Sequence, residues 1–351
     1  MTTDEPYDAL LLVSFGGPES VDEVVPYLDG ILKGKQVPES RRRAVEEKYL
    51  FFNGKSPLND QCRELLRMFC QEEMFFRQRN ESPPLKKEKG RIPVYWGNLH
   101  WKPTLQDTVS KMTEDGIRRP LIFTTSPFGS LTDNQTDPDP LTRILPGSMC
   151  PGRIPPYDTD PLFLRVSADR LLDVLARATL DVPLSEEDEN RHSDNHCPDN
   201  GKPAETLLLF SAHSIPERDA RRTRYVERLC QYYETLIKMT HFPAVPIGER
   251  PVPPLDAVWS FGWQSRSGRP SDPWLGPDVR EIIDQFHRAN RAAKRVIVYP
   301  AGFLLENMET VYDLDEEVRI CCERNGLRYY RAVTPGPALR IVELCRQYLW
   351  V

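Results

Sequence analysis

No run of apolar residues in this 351-residue chain approaches the roughly 18 that a helix needs to cross a bilayer. An integral membrane segment is therefore not expected. The amino terminus passes from a short polar leader straight into a strand pattern, without a basic-then-apolar targeting segment. The expectation is a cytoplasmic protein. Long basic tracts are missing too, and the net charge is −6, so a nucleic-acid partner is not expected. The eight cysteines include no C-x-x-C pair and no zinc-finger spacing. Ordinary reduced thiols fit better than a disulfide framework or a structural zinc. Glycine is absent where a nucleotide site would require it. Gly16–Gly17 lacks the other glycines of a dinucleotide fingerprint. Gly54-Lys55-Ser56 echoes the end of a phosphate loop, but Tyr49 stands in place of its first glycine and a helix-like stretch precedes it. Both nucleotide readings are discarded.

What is present is an alternation of short apolar runs and amphipathic segments. Ala9–Phe15, Pro93–Trp96, Leu121–Thr124, Leu207–Phe210, Ala257–Phe261 and Val296–Tyr299 read as strands. Gln61–Phe76, Leu105–Met112, Leu162–Ala178 and Tyr225–Met239 read as helices between them. Continuous apolar runs mark strands covered on both faces, and the alternation predicts an α/β protein with parallel sheets. The length suits two such units. The first should end near residue 155, with Pro155, Pro156 and Pro161 marking a linker. Arg77–Arg91 and Leu184–Glu205 are polar and charged, and read as mobile surface insertions. His192, His196 and Cys197 fall in the second; without a scaffold they make a poor metal site.

Two patterns carry chemistry. Glu309, Asp313 and Glu317 follow the strand Val296–Tyr299 and its turn Pro300–Ala301–Gly302. Steps of four nearly superpose on an α-helix, which stacks these acids into a ladder beside Glu306. Like charges at that spacing weaken a helix, so the row needs a purpose. A path for a hard cation or for protons is one. The second pattern is His213, just past the apolar run Leu207–Phe210 and before Pro216. That placement puts an imidazole at the carboxyl end of a parallel strand, where open α/β sheets build their sites. Imidazole binds borderline metals and accepts protons near neutral pH.

These residues carry a resemblance. Leu209-Phe-Ser-Ala-His213-Ser-Ile-Pro is similar to the histidine motif of the ferrochelatase family. Gly262-Trp-Gln-Ser, followed by Asp272-Pro-Trp-Leu-Gly-Pro277, resembles its second signature. Gly302-Phe through Glu309, Asp313 and Glu317 resembles its acidic helix. Leu11-Leu-Val-Ser-Phe15-Gly-Gly-Pro-Glu19 and Gly54-Lys-Ser56-Pro-Leu-Asn59 are also similar to family motifs. The likeness runs in order from about residue 7 to near the end.

The resemblance implies two similar doubly wound, Rossmann-like parallel-sheet domains with the active cleft between them. It also implies that the C-terminal helix packs back on the first domain. The expected division is 1–155 plus 335–351, and 156–334. The implied reaction is insertion of ferrous iron into a porphyrin with loss of two pyrrole protons. His213 and Glu309 would serve as base and first metal contact, with the division of roles open, and Asp313 and Glu317 would lead outward. Porphyrin contacts are expected from Ser56, Lys33, Lys48, Tyr49, Phe15, His100 and Trp263. Lys33, Lys35, Arg41, Arg42, Arg43 and Lys48 form a local cation excess suited to substrate carboxylates. The stretch Tyr27–Pro57 is short and polar, like the soluble bacterial enzymes that use coproporphyrin III. Protoporphyrin IX, a cobalt or nickel chelatase for another tetrapyrrole, and a non-catalytic haem or iron carrier are the alternatives.

Iron is then a substrate. No prosthetic group and no iron–sulfur cluster are expected, because Cys345 alone lies near the end at Val351. A monomer is expected. Some positions depart from the family pattern. Phe15 stands where some relatives have a tyrosine that binds iron. Leu32 replaces a basic residue. Thr125–Asp137 lacks the usual tyrosine- and serine-rich pattern, which implies few porphyrin contacts from that loop.

Overall fold

In a computed structural model the chain forms two parallel β-sheets covered by helices. The structure describes residues 6–34, 37–71, 74–76, 92–129, 140–180, 205–241, 257–267 and 272–349. The expectations for 77–91, 184–204 and Asp137 lie outside these residues, as do Lys35, His192, His196 and Cys197.

The first sheet holds β1 (Ala9–Ser14), β2 (Met74–Phe76), β3 (Ile92–Asn98), β4 (Pro120–Thr124) and β5 (Gly152–Arg153), in the order β2-β3-β1-β4-β5. The second holds β6 (Thr206–His213), β7 (Ala257–Gln264), β8 (Arg295–Pro300) and β9 (Arg328–Arg331), in the order β7-β6-β8-β9. Every pairing in both sheets is parallel. All six expected strands are present. Both sheets are doubly wound, as expected. The three unanticipated strands, β2, β5 and β9, lie at sheet edges, where short strands bury little and leave a weak pattern.

The first helices are α1 (Val21–Leu32), α2 (Glu39–Phe51), α3 (Leu58–Gln71), α4 (Leu105–Glu114), α5 (Pro140–Ile144) and α6 (Pro161–Leu180). After them come α7 (Glu217–Thr223), α8 (Tyr225–His241), α9 (Val279–Ala289), α10 (Arg319–Arg324) and α11 (Leu339–Leu349). The expected helix Gln61–Phe76 is corrected. It ends at Gln71, and Met74–Phe76 becomes an edge strand beside β3. Glu72 and Glu73 follow Gln71, and acids oppose the negative end of a helix dipole.

Two larger differences concern the acid segment. Glu309–Val318 is a π-helix, not an α-helix, and runs directly into α10. Bonds of the i→i+5 type widen the turn, so a step of four falls just short of a full turn instead of just past it. The three acids therefore still share one side. Glu306 is not beside them. Its carboxylate accepts from Arg331 Nη1 at 3.0 Å and from the Thr334 amide at 2.8 Å, on the far side.

One apolar core spans both sheets, joining Leu10, Leu12 and Phe123 of the first to Phe210, Ile297 and Tyr299 of the second. Ile341, Leu344 and Cys345 of α11 belong to it, and α11 packs on α3, α6 and β4. Strand order reverses between β1 and β4 in the first sheet and between β6 and β8 in the second. Such switch points open a crevice outside the strand carboxyl ends. Both crevices contribute walls to one cavity.

Candidate active site

The cavity occupies about 490 Å³, within the range of small-molecule sites. Segments following β1, β4, β6 and β8 line it: Phe15–Gly16, Thr125–Gly129, His213 with Ile215, and Gly302–Leu305. Gly302 has φ +84°, a left-handed conformation that favours glycine. A Cβ there would lie 3.2 Å from the Tyr225 hydroxyl, another wall group.

His213 ends β6, and its Nδ1 lies 2.5 Å from the Ser214 carbonyl. A carbonyl only accepts, so Nδ1 carries a hydrogen. That leaves Nε2 of a neutral ring bare. Yet Nε2 lies 3.1 Å from Glu309 Oε1, a carboxylate oxygen. A hydrogen bond between them needs a hydrogen on one of the two atoms, and either the imidazole nitrogen or the carboxylate can accept one. The imidazole side chain is 16% exposed and the carboxylate 42%. Glu309 is the partner with access to exchanging protons.

The signature Gly262-Trp-Gln-Ser explains how Glu309 is held. Gln264 donates from Nε2 to the Glu309 carbonyl at 3.2 Å and is itself gripped by the Ser211 hydroxyl. Ser265 donates to Asp313. Strand β7 thus ties down the first turns of the π-helix. The Trp263 side chain is buried and packs 5.9 Å from the Tyr225 ring, behind the cavity wall instead of on it.

Further out, the acid row is charge-compensated. Lys48 of α2 places Nζ 2.6 Å from Asp313 and 3.0 Å from Glu317. Arg280 pairs with Glu317 at 2.9 Å. Burial pulls the Lys48 ammonium down, but Asp313 and then Glu317 outweigh it and raise its pKa. Among the described residues, no group of three His, Cys, Asp or Glu converges as a metal cage.

The sequence profile of the ferrochelatases matches residues 7–348. The chain belongs to the ferrochelatase family. Family members insert ferrous iron into a porphyrin, and iron and porphyrin are this ferrochelatase's substrates. A coproporphyrin III ferrochelatase of Mycolicibacterium smegmatis is 35% identical over 344 residues, covering 96% of this chain and 87% of that one. One of Mycolicibacterium vanbaalenii is 33% identical over 96% of this chain and 87% of its own. A ferrochelatase of Rhodopirellula baltica is 32% identical, over 97% of this chain and 84% of its own. In this ferrochelatase no described helix is long and apolar enough to cross a membrane.

Of the residues singled out in the sequence, Phe15, Tyr49, Ser56, His213 and Glu309 line the cavity. Asp313, Glu317 and Lys48 lie together outside its lining. The Lys48 ammonium is engaged by two carboxylates, and Trp263 is buried behind Tyr225. His100 packs against Phe15 with ring centroids 4.3 Å apart and the planes tilted by 51°, one layer behind the lining. Lys33 is exposed after α1 and outside the lining. In the arginine triplet, Arg42 pairs with Asp29 at 2.8 Å, Arg43 with Glu39 at 3.3 Å, and Arg41 reaches the Arg266 carbonyl.

Other lining residues carried no motif. Tyr27 donates to the Gly16 carbonyl at 3.2 Å and accepts from Tyr49 at 3.4 Å. Burial raises the pKa of both phenols, so both stay neutral. Asp219, Thr223, Tyr225, Arg228 and Asn307 also face the cavity. Tyr225 and Arg228 are three apart on α8, a spacing that shares one face and was readable. In the loop after β4, Thr125, Ser126, Phe128 and Gly129 line the cavity.

Proposed function

We propose that this ferrochelatase inserts Fe²⁺ into coproporphyrin III and that His213 and Glu309 carry the reaction. The observation behind the residues is the 3.1 Å contact between Nε2 and Oε1 in a cavity wall. Imidazole and carboxylate each accept a proton, so the pair can take pyrrole protons, and Glu309, whose carboxylate is the more exposed of the two, passes them on. Between them the two supply the base and the first contact for iron. Ser56 and the neutral phenol of Tyr49 face the substrate from the opposite switch point.

Two supports favour coproporphyrin III. The Mycolicibacterium relatives bear that name, and the stretch Tyr27–Pro57 is short and polar, resembling the soluble bacterial enzymes that use it. Anaerobic turnover with coproporphyrin III and protoporphyrin IX in parallel, each with ferrous iron, tests the reading. A higher kcat/KM for coproporphyrin III is expected. Equal or better use of protoporphyrin IX would overturn the substrate, and tight haem binding without turnover would overturn the reaction.

A further inference from the structure

Arg228 supplies the only permanent positive charge among the described residues that line the cavity, where Asp219 and Glu309 are also present. The proposed substrate carries four carboxylates, two more than protoporphyrin IX. Those extra groups sit on ring edges where protoporphyrin has apolar vinyls. A site that prefers the tetra-acid must meet them with donors, because a carboxylate taken out of water without a partner is heavily penalised.

The guanidinium is built to do this. Nε donates to Asp158 Oδ2 at 3.1 Å, and one Nη2 hydrogen goes to the other oxygen of that carboxylate. One Nη1 hydrogen goes to the Phe128 carbonyl at 2.9 Å. The group lies over the Phe128 ring, 5.5 Å from its centroid. Guanidinium has five N–H donors. These contacts use three, leaving one hydrogen on each terminal nitrogen. Asp158 is 3% exposed, whereas the Arg228 side chain is 25% exposed. The carboxylate is thus buried as a clamp while the cation keeps an open side. The fork is held by one face and stays ready for a second carboxylate, a geometry lysine does not reproduce.

Position matters as much as charge. Arg228 stands on α8 and is tied to the loop after β4, whereas Ser56 and Tyr49 belong to the segment at the end of α2 and before α3. Ser126, from the same loop as Phe128, adds a hydroxyl to this stretch of wall.

We propose that Arg228, oriented by Asp158, binds a ring-edge carboxylate that coproporphyrin III has and protoporphyrin IX lacks, and so sets substrate choice. The proposal rests on the coproporphyrin reading above. Arg228→Met should raise KM for coproporphyrin III about ten-fold, as loss of a hydrogen-bonded charge implies. Its kcat, and KM for protoporphyrin IX, should stay within two-fold. Arg228→Lys should give an intermediate loss. Asp158→Asn should weaken coproporphyrin III binding, read by fluorescence quenching without iron, more than protoporphyrin IX binding.

Equal loss on both porphyrins would show a brace between α8 and its loop and overturn the proposal; no change on either would do the same. If Arg228→Met fails to fold, Arg228→Lys and Asp158→Asn carry the comparison. Wild-type preference alone decides the coproporphyrin reading, whereas the change of preference in the variants decides Arg228.

Discussion

Lys48 and Asp313 lie 265 positions apart in the chain, yet Nζ and Oδ1 stand 2.6 Å apart. The contact ties α2 to the π-helix and puts a covalently attached cation into the acid row. Asp313 is 7% exposed in its side chain and Lys48 25%. An ion pair this dry is strongly coupled, and removing one member strands the other.

Lys48→Met should therefore destabilise the fold, by roughly 1–2 kcal/mol after allowance for the partial exposure of Lys48 and Glu317. The pH dependence has a definite sign. The folded-state pKa of Lys48 is raised, so its contribution is complete below the unfolded value of about 10.4 and is lost only as pH climbs through the folded one. Urea melts of wild type and variant should show a constant gap from pH 7 to about 10, narrowing above that. A gap that closes between pH 7 and 9 would contradict the assignment.

His213→Ala should abolish iron insertion while costing about 1 kcal/mol or less in stability, since the ring makes few bonds and faces the cavity. Anaerobic turnover beside a thermal melt measures both. Turnover at the wild-type rate would remove the catalytic role given to this residue.

Arg331→Met, at the end of β9, should be the most damaging substitution among the cations that hold the acid segment and Glu306. Arg331 reaches Glu306 at 3.0 Å and Asp315 at 2.6 Å, with Arg331 and Glu306 both about nine-tenths buried. Losing it leaves Glu306 charged and inside, a penalty of roughly 3–5 kcal/mol. Denaturant unfolding reads this directly. A change under 1 kcal/mol would mean that the cluster contributes little.

Gly302→Ala forces an L side chain into a left-handed conformation, at about 1–2 kcal/mol, and aims a methyl at the Tyr225 hydroxyl. The expected result is a lower Tm together with weaker porphyrin binding. Unchanged porphyrin affinity would show that this turn does not shape the cavity.

Much of this was legible in the chain. Leu207–Phe210 and Val296–Tyr299 are continuous apolar runs because their strands are central and covered on both faces, a local property of composition. His213 could be placed at a strand end, and the resemblance implied Glu309 as its partner; that β6 and β8 lie side by side, which brings the two together, is seen only in the fold. The edge strand β9 left no such trace: Arg328–Arg331 reads Arg-Tyr-Tyr-Arg and is only partly buried. The surroundings of Lys48 and Trp263 were not legible, for a common reason. The partner of a basic or aromatic residue beside a motif is not visible locally, and Asp313 and Tyr225 are distant in sequence.

The chain alone determined the α/β class, the strand ends and an imidazole placed at one of them, since each follows from short-range periodicity and residue chemistry; the family resemblance implied its partner Glu309. Tertiary structure decided the rest. The acids wind as a π-helix tied to β7 by Gln264 and Ser265, their charge is met from α2, and Arg228 joins the cavity wall through Asp158 and Phe128. Those outcomes depend on distances between segments far apart along the backbone, and only the packed core sets such distances.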